Sequence, residues 1–76
     1  MAEYAPHAEL QMALRGISKA EVEFVLTNYH TSRPAPRLRN SPAAVIFIGD
    51  VSGRTLKVYV EVGTSPPLVK TTVWEG

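Results

Sequence analysis

The segment Thr55–Val62, with the sequence T-L-K-V-Y-V-E-V, places the strongest constraint on the fold. Aliphatic residues occupy every second position, and the residues between them are polar or aromatic. Because successive residues of a strand point to opposite faces, this alternation predicts a strand with one apolar face and one charged, aromatic face. The apolar segments Ala44–Ile48 and Leu68–Trp74 are joined to it through turn-forming residues, which in the first case are Gly49–Arg54. We expect a three-stranded antiparallel meander with Thr55–Val62 in the middle.

Two helix signals precede this meander. Residues 7–15 are good helix formers, Pro6 suits a first helical position, and Gly16 suits a left-handed cap. Ser18 and Glu21 have the spacing of a capping box, which predicts a second helix over about residues 19–28. Its apolar stripe is expected to cover the apolar face of the sheet. The stripe consists of Val22, Val25, Leu26 and Tyr29.

These signals predict one α+β domain over residues 1–76. Two N-terminal helices pack on a three- to four-stranded antiparallel sheet, and the fourth strand is a short edge strand near His30–Ser32. The chain has no cysteine, which excludes disulfides and thiolate metal sites. Neither a membrane span nor a secretory signal is visible, so a cytoplasmic protein is expected. The two histidines lack metal-ligand spacing, and no metal or cofactor is expected.

Positive charge is concentrated in the second part of the chain. The net charge is +1, made up of −2 over residues 1–32 and +3 over residues 33–76. A basic half favours an anionic partner. Arg33, Arg37 and Arg39 form a basic arm between prolines, which can follow a phosphate backbone or dock on an acidic protein. A soluble loop without a partner is the alternative.

His7, Gln11 and Arg15 lie on roughly one side of the first predicted helix, at i, i+4 and i+8. A neutral imidazole can act as a general acid or base, and an arginine can hold a phosphate. The structural alternative is that His7 caps the helix start and that Arg15 interacts with the helix dipole at its end.

The outer face of the predicted sheet is the second candidate site. If Val69, Thr71 and Val73 lie on the apolar side, then lysines, a hydroxyl and aromatic rings share the opposite face. These outward residues are Lys57, Tyr59, Glu61, Lys70, Thr72 and Trp74. Lysines on phosphates and aromatic rings stacked on splayed bases would bind RNA. The alternative is a solvated face with cross-strand Lys–Glu pairs.

The spacing of several motifs resembles a family of small uncharacterised bacterial domains. Their opening pattern H-A-x-x-R-M-x-x-R-G-I-S-x-x-x-V-x-x-V-L corresponds to residues 7–26, with Gln11 at a position where the family has Arg or Lys. A G-R-x-L-x-V strand and a T-V-aromatic strand follow at Gly53–Val58 and Thr72–Trp74. This family is similar to the RelE/ParE-like toxins, within the barnase–EndoU–colicin–RelE fold of metal-independent ribonucleases. The resemblance implies two helices against an antiparallel sheet.

The resemblance also implies a function. The chain would be the toxin component of a bacterial toxin–antitoxin system, a metal-independent endoribonuclease with RNA and a cognate antitoxin as partners. The motif positions imply acid–base work for His7, phosphate stabilisation for Arg15 and phosphate positioning for Thr72, and face geometry adds Lys57 as a second cation. The expected RNA-binding residues are Arg33, Arg37, Arg39, Arg54, Tyr59 and Trp74.

Two other hypotheses remain open at this point. A non-catalytic protein-binding module on the same fold would inhibit or regulate a partner by surface contact. A homodimer paired through an exposed sheet edge is the third hypothesis.

Overall fold

The computed structural model describes residues 2–35, 43–61, 63 and 66–75. Its elements are β1 (Glu3–Tyr4), α1 (Pro6–Arg15), α2 (Lys19–Asn28), β2 (Thr31–Pro34), β3 (Ala44–Val51), β4 (Arg54–Glu61) and β5 (Leu68–Glu75). The strands form a five-stranded sheet in the order β1-β5-β4-β3-β2. The α+β class, the two N-terminal helices, the central strand and the edge strand β2 are confirmed. None of the described helices is long and apolar enough to cross a membrane.

The sheet differs from the expected one in its strand number and direction. It has five strands, and β1 runs parallel to β5 while the other pairings are antiparallel. Two backbone bonds flank β1: the amide of Glu3 donates to Pro67 O at 2.8 Å, and that of Ala5 donates to Val69 O at 3.0 Å. A two-residue strand leaves no alternation in the sequence, so pattern analysis did not detect it.

The helix boundaries follow from their caps. The Ser18 hydroxyl accepts from the Glu21 amide at 3.1 Å, and the Glu21 carboxylate accepts from the Ser18 amide at 2.8 Å. This capping box satisfies two amides that have no partner within α2. At the end of α1, Gly16 adopts φ 68°, a left-handed conformation that glycine reaches without a Cβ penalty.

A hydrogen-bond network ties β1 to α2. The Tyr4 hydroxyl donates to the Glu23 carboxylate at 2.9 Å, and the Ala2 amide donates to the same oxygen at 3.0 Å. The Lys19 ammonium lies 5.1 Å from the centre of the Tyr4 ring. Burial, together with the bond to Glu23, raises the pKa of the Tyr4 hydroxyl well above its usual range.

The core lies between the helices and one face of the sheet, which we call the covered face. Its buried residues are Ala8, Met12, Ile17, Val22, Val25, Val51, Leu56, Val58, Val60 and Val69. Helix α2 packs very close to β3 at Gly49, where an added Cβ would lie 3.3 Å from Val25 Cγ1 and 3.4 Å from Tyr29 Cα. Beside this contact the rings of Tyr29 and Phe47 meet edge to face, with centroids 4.8 Å apart.

The turn between β3 and β4 is shorter than expected. Strand β3 continues through Val51, and only Ser52 and Gly53 form the turn, although the sequence suggested a connection over Gly49–Arg54. Ser52 has φ 51° and Gly53 has φ 82°. Positive φ at both positions is typical of a type I′ turn, whose twist matches that of the strands on either side.

Strand β2 forms one edge of the sheet. The Ala35 amide donates to Ala44 O at 3.0 Å, which fixes the direction in which the backbone groups of β2 point. Alternate residues of an antiparallel strand direct their backbone groups to the same side. The N–H and C=O of Arg33 therefore point to β3, while the backbone groups of Ser32 and Pro34 point away from the sheet. Pro34 has no N–H, so the outer side of β2 offers a single amide donor, that of Ser32.

Strands β4 and β5 are paired with a one-residue irregularity. Tyr59 lies opposite Thr71, but the next residue, Val60, lies opposite Val69. Lys70 is therefore an extra residue, as in a β-bulge. A bulge exchanges the two faces for every residue that follows it, which determines where the candidate site residues of β5 point.

Candidate functional site

The bulge places Thr72 and Trp74 on the covered face. Thr72 lies opposite Val58 and Trp74 opposite Leu56, and residues opposite each other share a face. Thr72 is fully buried, at 0 % exposure. The expectation that Thr72 and Trp74 share a face with Lys57 and Tyr59 is therefore wrong. That expectation assumed a regular alternation along all of β5. The extra residue at position 70 moves every later side chain of the strand to the opposite face.

The helix-free face of the sheet, which we call the open face, carries Lys57 and Tyr59. Their neighbours on β5 are Val73 and Thr71, which were expected on the apolar side. The Lys57 ammonium lies 3.1 Å from a carboxylate oxygen of Glu75, and only 22 % of its side chain is exposed. The cation of the open face is thus partly buried and has a carboxylate partner.

The Asp50 carboxylate at this end of the open face also has contacts within the domain. The Thr55 hydroxyl donates to the Asp50 carboxylate at 3.0 Å, and His30 Nε2 lies 3.7 Å from the same oxygen. Ile46 and Ile48 also lie on this face by register and are only 5 % and 6 % exposed. The open face is apolar in its centre, with paired charges beside it.

A different group of candidates meets at the C-terminal end of α1. The indole Nε1 of Trp74 donates to the carbonyl of Arg15 at 3.0 Å. The guanidinium carbon of Arg54 lies 4.0 Å from the centre of the Trp74 ring, a cation–π contact. We call Arg15, Arg54 and Trp74 the arginine–tryptophan cluster. A further bond, from Arg15 Nη1 to the carbonyl of Thr72 at 2.7 Å, fixes the guanidinium of Arg15 over β5.

The fold explains why these three residues meet. Arg54 and Leu56 are two positions apart in β4 and share a face, and Trp74 lies opposite Leu56. Arg54 is therefore a diagonal neighbour of Trp74, close enough for long side chains to touch. Helix α1 ends at Arg15, whose carbonyl lacks a partner within the helix. The indole satisfies that carbonyl and joins the helix end to β5.

Among the described residues, no carboxylate forms an ion pair with either arginine of the cluster. In the part of the chain that the structure describes, the ion pairs are Lys19–Glu9 and Lys57–Glu75, and His30 Nε2 lies 3.7 Å from the Asp50 carboxylate. Neither Arg15 nor Arg54 belongs to one of these pairs, and both residues are exposed. The Arg15 side chain, in the last turn of α1, interacts favourably with the negative end of the helix dipole. The Arg54 charge is directed to solvent and attracts anions.

His7 lies far from this cluster. It is exposed in the first turn of α1, eight residues before Arg15. A rise of about 1.5 Å per residue separates them by roughly 12 Å along the helix axis. Because the Arg15 guanidinium is bonded to Thr72, the structure does not bring His7 and Arg15 to a single phosphate. Lys57 is on the open face, so the four proposed catalytic residues do not form one constellation.

Thr72 meets Arg15 through its backbone and not through its hydroxyl. The carbonyl of Thr72 accepts the bond from Arg15, whereas its Oγ1 is buried and has no hydrogen-bond partner among the residues that the structure describes. A buried hydroxyl without a partner cannot position a phosphate oxygen unless the site opens.

The family model for a domain of unknown function, DUF4258, matches residues 4–74. The chain belongs to the DUF4258 family. No curated protein and no solved structure matches it. The match extends from Tyr4 in β1 to Trp74 in β5, so the arginine–tryptophan cluster lies within the DUF4258 domain.

The remaining RNA-binding candidates of this DUF4258 domain lie elsewhere. Arg33 is exposed on β2, at the sheet edge opposite to β1. Arg37 and Arg39 lie outside the described residues. Within the described ranges, no three or more histidine, aspartate or glutamate side chains are grouped as a metal site would require.

The contact between Arg54 and Trp74 is the feature that sequence reasoning missed. Both residues were candidates, but on the strand pattern Trp74 was assigned to the open face. The available signal was the shared face of Arg54 and Leu56, which predicts a diagonal contact once Trp74 is paired with Leu56. The register itself cannot be read from the alternation because of the bulge.

Proposed function

We propose that this DUF4258 domain is the toxin component of a bacterial toxin–antitoxin pair, and that it acts on RNA through the arginine–tryptophan cluster. The spacing of its motifs resembles the RelE/ParE-like toxins, and its two helices against a sheet agree with the architecture of that group. The observation that carries the proposal is the pair of exposed arginines at Trp74 without carboxylate partners among the described residues.

The cluster has the chemistry to bind a single-stranded nucleic acid. Guanidinium groups bond phosphate oxygens in a bidentate geometry and remain charged at every physiological pH. A guanidinium plane is also a surface on which an unstacked base can lie. Arg54, held 4.0 Å from the Trp74 ring, offers its outer side for such a contact, and Arg15 adds a second cation.

Cleavage is the stronger form of the proposal and depends on His7. Metal-independent cleavage requires a base for the ribose 2′-hydroxyl and an acid for the leaving 5′-oxygen. Arginine stays protonated, so the cluster can hold phosphates of a bound strand but does not exchange protons readily. His7 is the group for proton transfer at a different phosphate, which a strand bound at the cluster brings to it by running along α1.

Binding is tested with a fluorescently labelled single-stranded RNA. The variant Arg54→Gln should bind about 10-fold more weakly than the wild type, since a hydrogen bond to a charged group contributes about 1.5–3 kcal/mol. Lys19→Gln is the matched control, because it removes the same charge from the start of α2. Equal affinities for the two variants would contradict a site at the cluster.

Cleavage is tested by incubating the protein with total RNA, with and without EDTA. The wild type should cleave in both conditions, and His7→Ala should reduce the rate by about 10²–10⁴-fold, the usual contribution of general acid–base catalysis. RNA binding that persists in His7→Ala separates loss of chemistry from loss of affinity. Undiminished cleavage by His7→Ala would contradict a catalytic role for His7.

A non-catalytic protein-binding module is the second candidate, and one observation favours it. Leu10 and Leu14 of α1 are 57 % and 73 % exposed, one helical turn apart. Exposed apolar side chains of this kind are used to contact partner proteins. If growth inhibition by the wild type persists in His7→Ala and disappears in a Leu10→Ser, Leu14→Ser variant, the protein acts by surface contact.

A further inference from the structure

Two hollows adjoin on the outer surface of α2. The first, which we call the turn hollow, has a volume of about 290 Å³ and is lined by Ala20, Glu21, Phe24, Asp50, Val51 and Ser52. The second, the strand hollow, has a volume of about 250 Å³ and is lined by Ala2, Tyr4, Lys19, Ala20 and Glu23. Ala20 belongs to both linings, so a segment that crosses α2 at this small residue passes from one hollow to the other.

An aromatic ring lines the turn hollow. Phe24 is 50 % exposed, although it is a large apolar residue in the middle of α2. Val22 and Val25 of the same helix are fully buried, so α2 contributes to the core through other side chains. Glu21 lies three residues before Phe24 and is therefore its neighbour on the helix surface. The hollow thus combines an accessible ring with a carboxylate beside it.

Carboxylates predominate around the two hollows. Among the residues that line them, the ionised side chains are those of Glu21, Glu23, Asp50 and Lys19. The Lys19 ammonium lies 3.1 Å from the Glu9 carboxylate, so its charge is already matched. The side chain of Asp50 is 66 % exposed, and its carboxylate accepts a hydrogen bond from Thr55 and lies 3.7 Å from His30 Nε2. The surface is negative and complements a basic partner.

The start of α2 does not offer its capped amides to an anion. The Glu21 amide donates to the Ser18 hydroxyl, and the Ser18 amide donates to the Glu21 carboxylate. The same carboxylate brings a negative charge to the positive end of the helix dipole. It also keeps lone pairs for further donors. A cation, and not an anion, therefore fits the turn hollow.

We propose that the turn hollow binds an arginine side chain from a basic segment of a partner protein. The guanidinium plane lies on the exposed side of the Phe24 ring, and its N–H groups donate to the Glu21 carboxylate. The aliphatic part of the arginine covers Ala20 and Val51. A second basic residue of the segment lies near Glu23 in the strand hollow. The proposal uses no residue of the arginine–tryptophan cluster and does not depend on RNA binding.

The probe is a short peptide of alternating alanine and arginine. It should shift the amide signals of Ala20, Phe24 and Ser52 in NMR spectra of the ¹⁵N-labelled protein. Fluorescence anisotropy with the labelled peptide gives the affinity. Phe24→Ala should bind about 5–10-fold more weakly, through loss of the cation–π contact and of apolar surface. Leu14→Ala is the matched control, because it removes a still more exposed apolar side chain from α1 and should bind like the wild type. Equal affinities for the two variants, or signal shifts in other regions only, would overturn the proposal.

A second comparison tests the charge. Glu21→Gln should weaken binding by about 2–5-fold, as expected for one exposed ion pair, while glutamine preserves the capping box. Glu75→Gln removes the same charge from β5 and should leave the affinity unchanged. A peptide with lysine in place of arginine should bind at least about 3-fold more weakly, since an ammonium lacks the plane that stacks on the ring. Equal effects of the two glutamine variants, equal binding of the two peptides, or self-association of the wild type that Phe24→Ala abolishes would overturn the proposal.

Discussion

The open face and the arginine–tryptophan cluster each combine a cation with an aromatic residue of the same sheet, but they differ in how the cation is held. Lys57 on the open face is 22 % exposed and lies 3.1 Å from the Glu75 carboxylate. Arg54 in the cluster is exposed and lies over an aromatic ring. Charge composition alone would rank the two sites equally. A cation that is exposed and has no carboxylate partner can bind an anion, whereas a cation that is already paired contributes little to binding.

The end of β5 produces this difference. Glu75 and Trp74 are adjacent in the chain and therefore point to opposite faces. Glu75 supplies a carboxylate to Lys57 on the open face, while Trp74 supplies an indole to Arg54 on the covered face. The bulge at Lys70 decides which residue goes to which face.

The largest effect is expected from introducing a lysine at each of two neighbouring threonines of β5, which lie on opposite faces of the sheet. Thr72→Lys should destabilise the domain by at least about 4 kcal/mol, because it buries an unpaired charge in the core. Thr71→Lys, on the open face, should cost less than about 1 kcal/mol. Urea unfolding followed by circular dichroism measures both. Similar costs for the two variants would show that the register after Lys70 is wrong.

The next effect concerns RNA affinity and compares two double variants of equal charge. Arg15→Gln with Arg54→Gln should weaken binding by about 100-fold, since two charged contacts are lost. Lys57→Gln with Arg33→Gln should weaken it by less than about 5-fold, through the general electrostatic attraction alone. Fluorescence anisotropy with a labelled RNA gives both values. A larger loss in the second variant would move the binding site to the open face.

A smaller effect is expected from the buried hydroxyl of Thr72. Thr72→Val keeps the shape of the side chain and removes a buried Oγ1 that has no partner among the described residues, so it should stabilise the domain by about 1 kcal/mol. For a domain of this size the corresponding rise in Tm is roughly 4–8 °C. Thr71→Val on the open face should change stability by less than about 0.5 kcal/mol. A lower Tm for Thr72→Val would mean that the hydroxyl has a partner in solution.

The smallest effect concerns the Lys57–Glu75 ion pair and its influence on RNA affinity. Glu75→Gln frees Lys57 and should raise RNA affinity by about 2–3-fold, within the usual strength of a partly exposed ion pair. Glu9→Gln is the matched control, because it frees Lys19 from a pair of the same 3.1 Å length on the helices. An equal gain in both variants would attribute the effect to net charge and not to the open face.

Local signals predicted the elements of this fold well. The Ser18–Glu21 capping box, Gly16 and the alternation around Val58 each depend on residues close in sequence, and each structure they predicted is present. The parallel strand β1 was not predicted, because a two-residue strand carries no period and its partner is distant in the chain. The candidate site could be predicted only in part for the same reason. The residue types of the cluster were identified, but their meeting depends on a register that the extra residue Lys70 shifts.

Pro34 has a consequence for how copies of this domain can assemble. A sheet that grows by adding copies at both edges propagates without limit and gives a fibre. The outer side of β2 lacks an amide at Pro34, and this edge is therefore a poor template for a further strand. Growth without limit requires both edges of the sheet to accept a further strand, so copies of this domain are not expected to stack into a fibre.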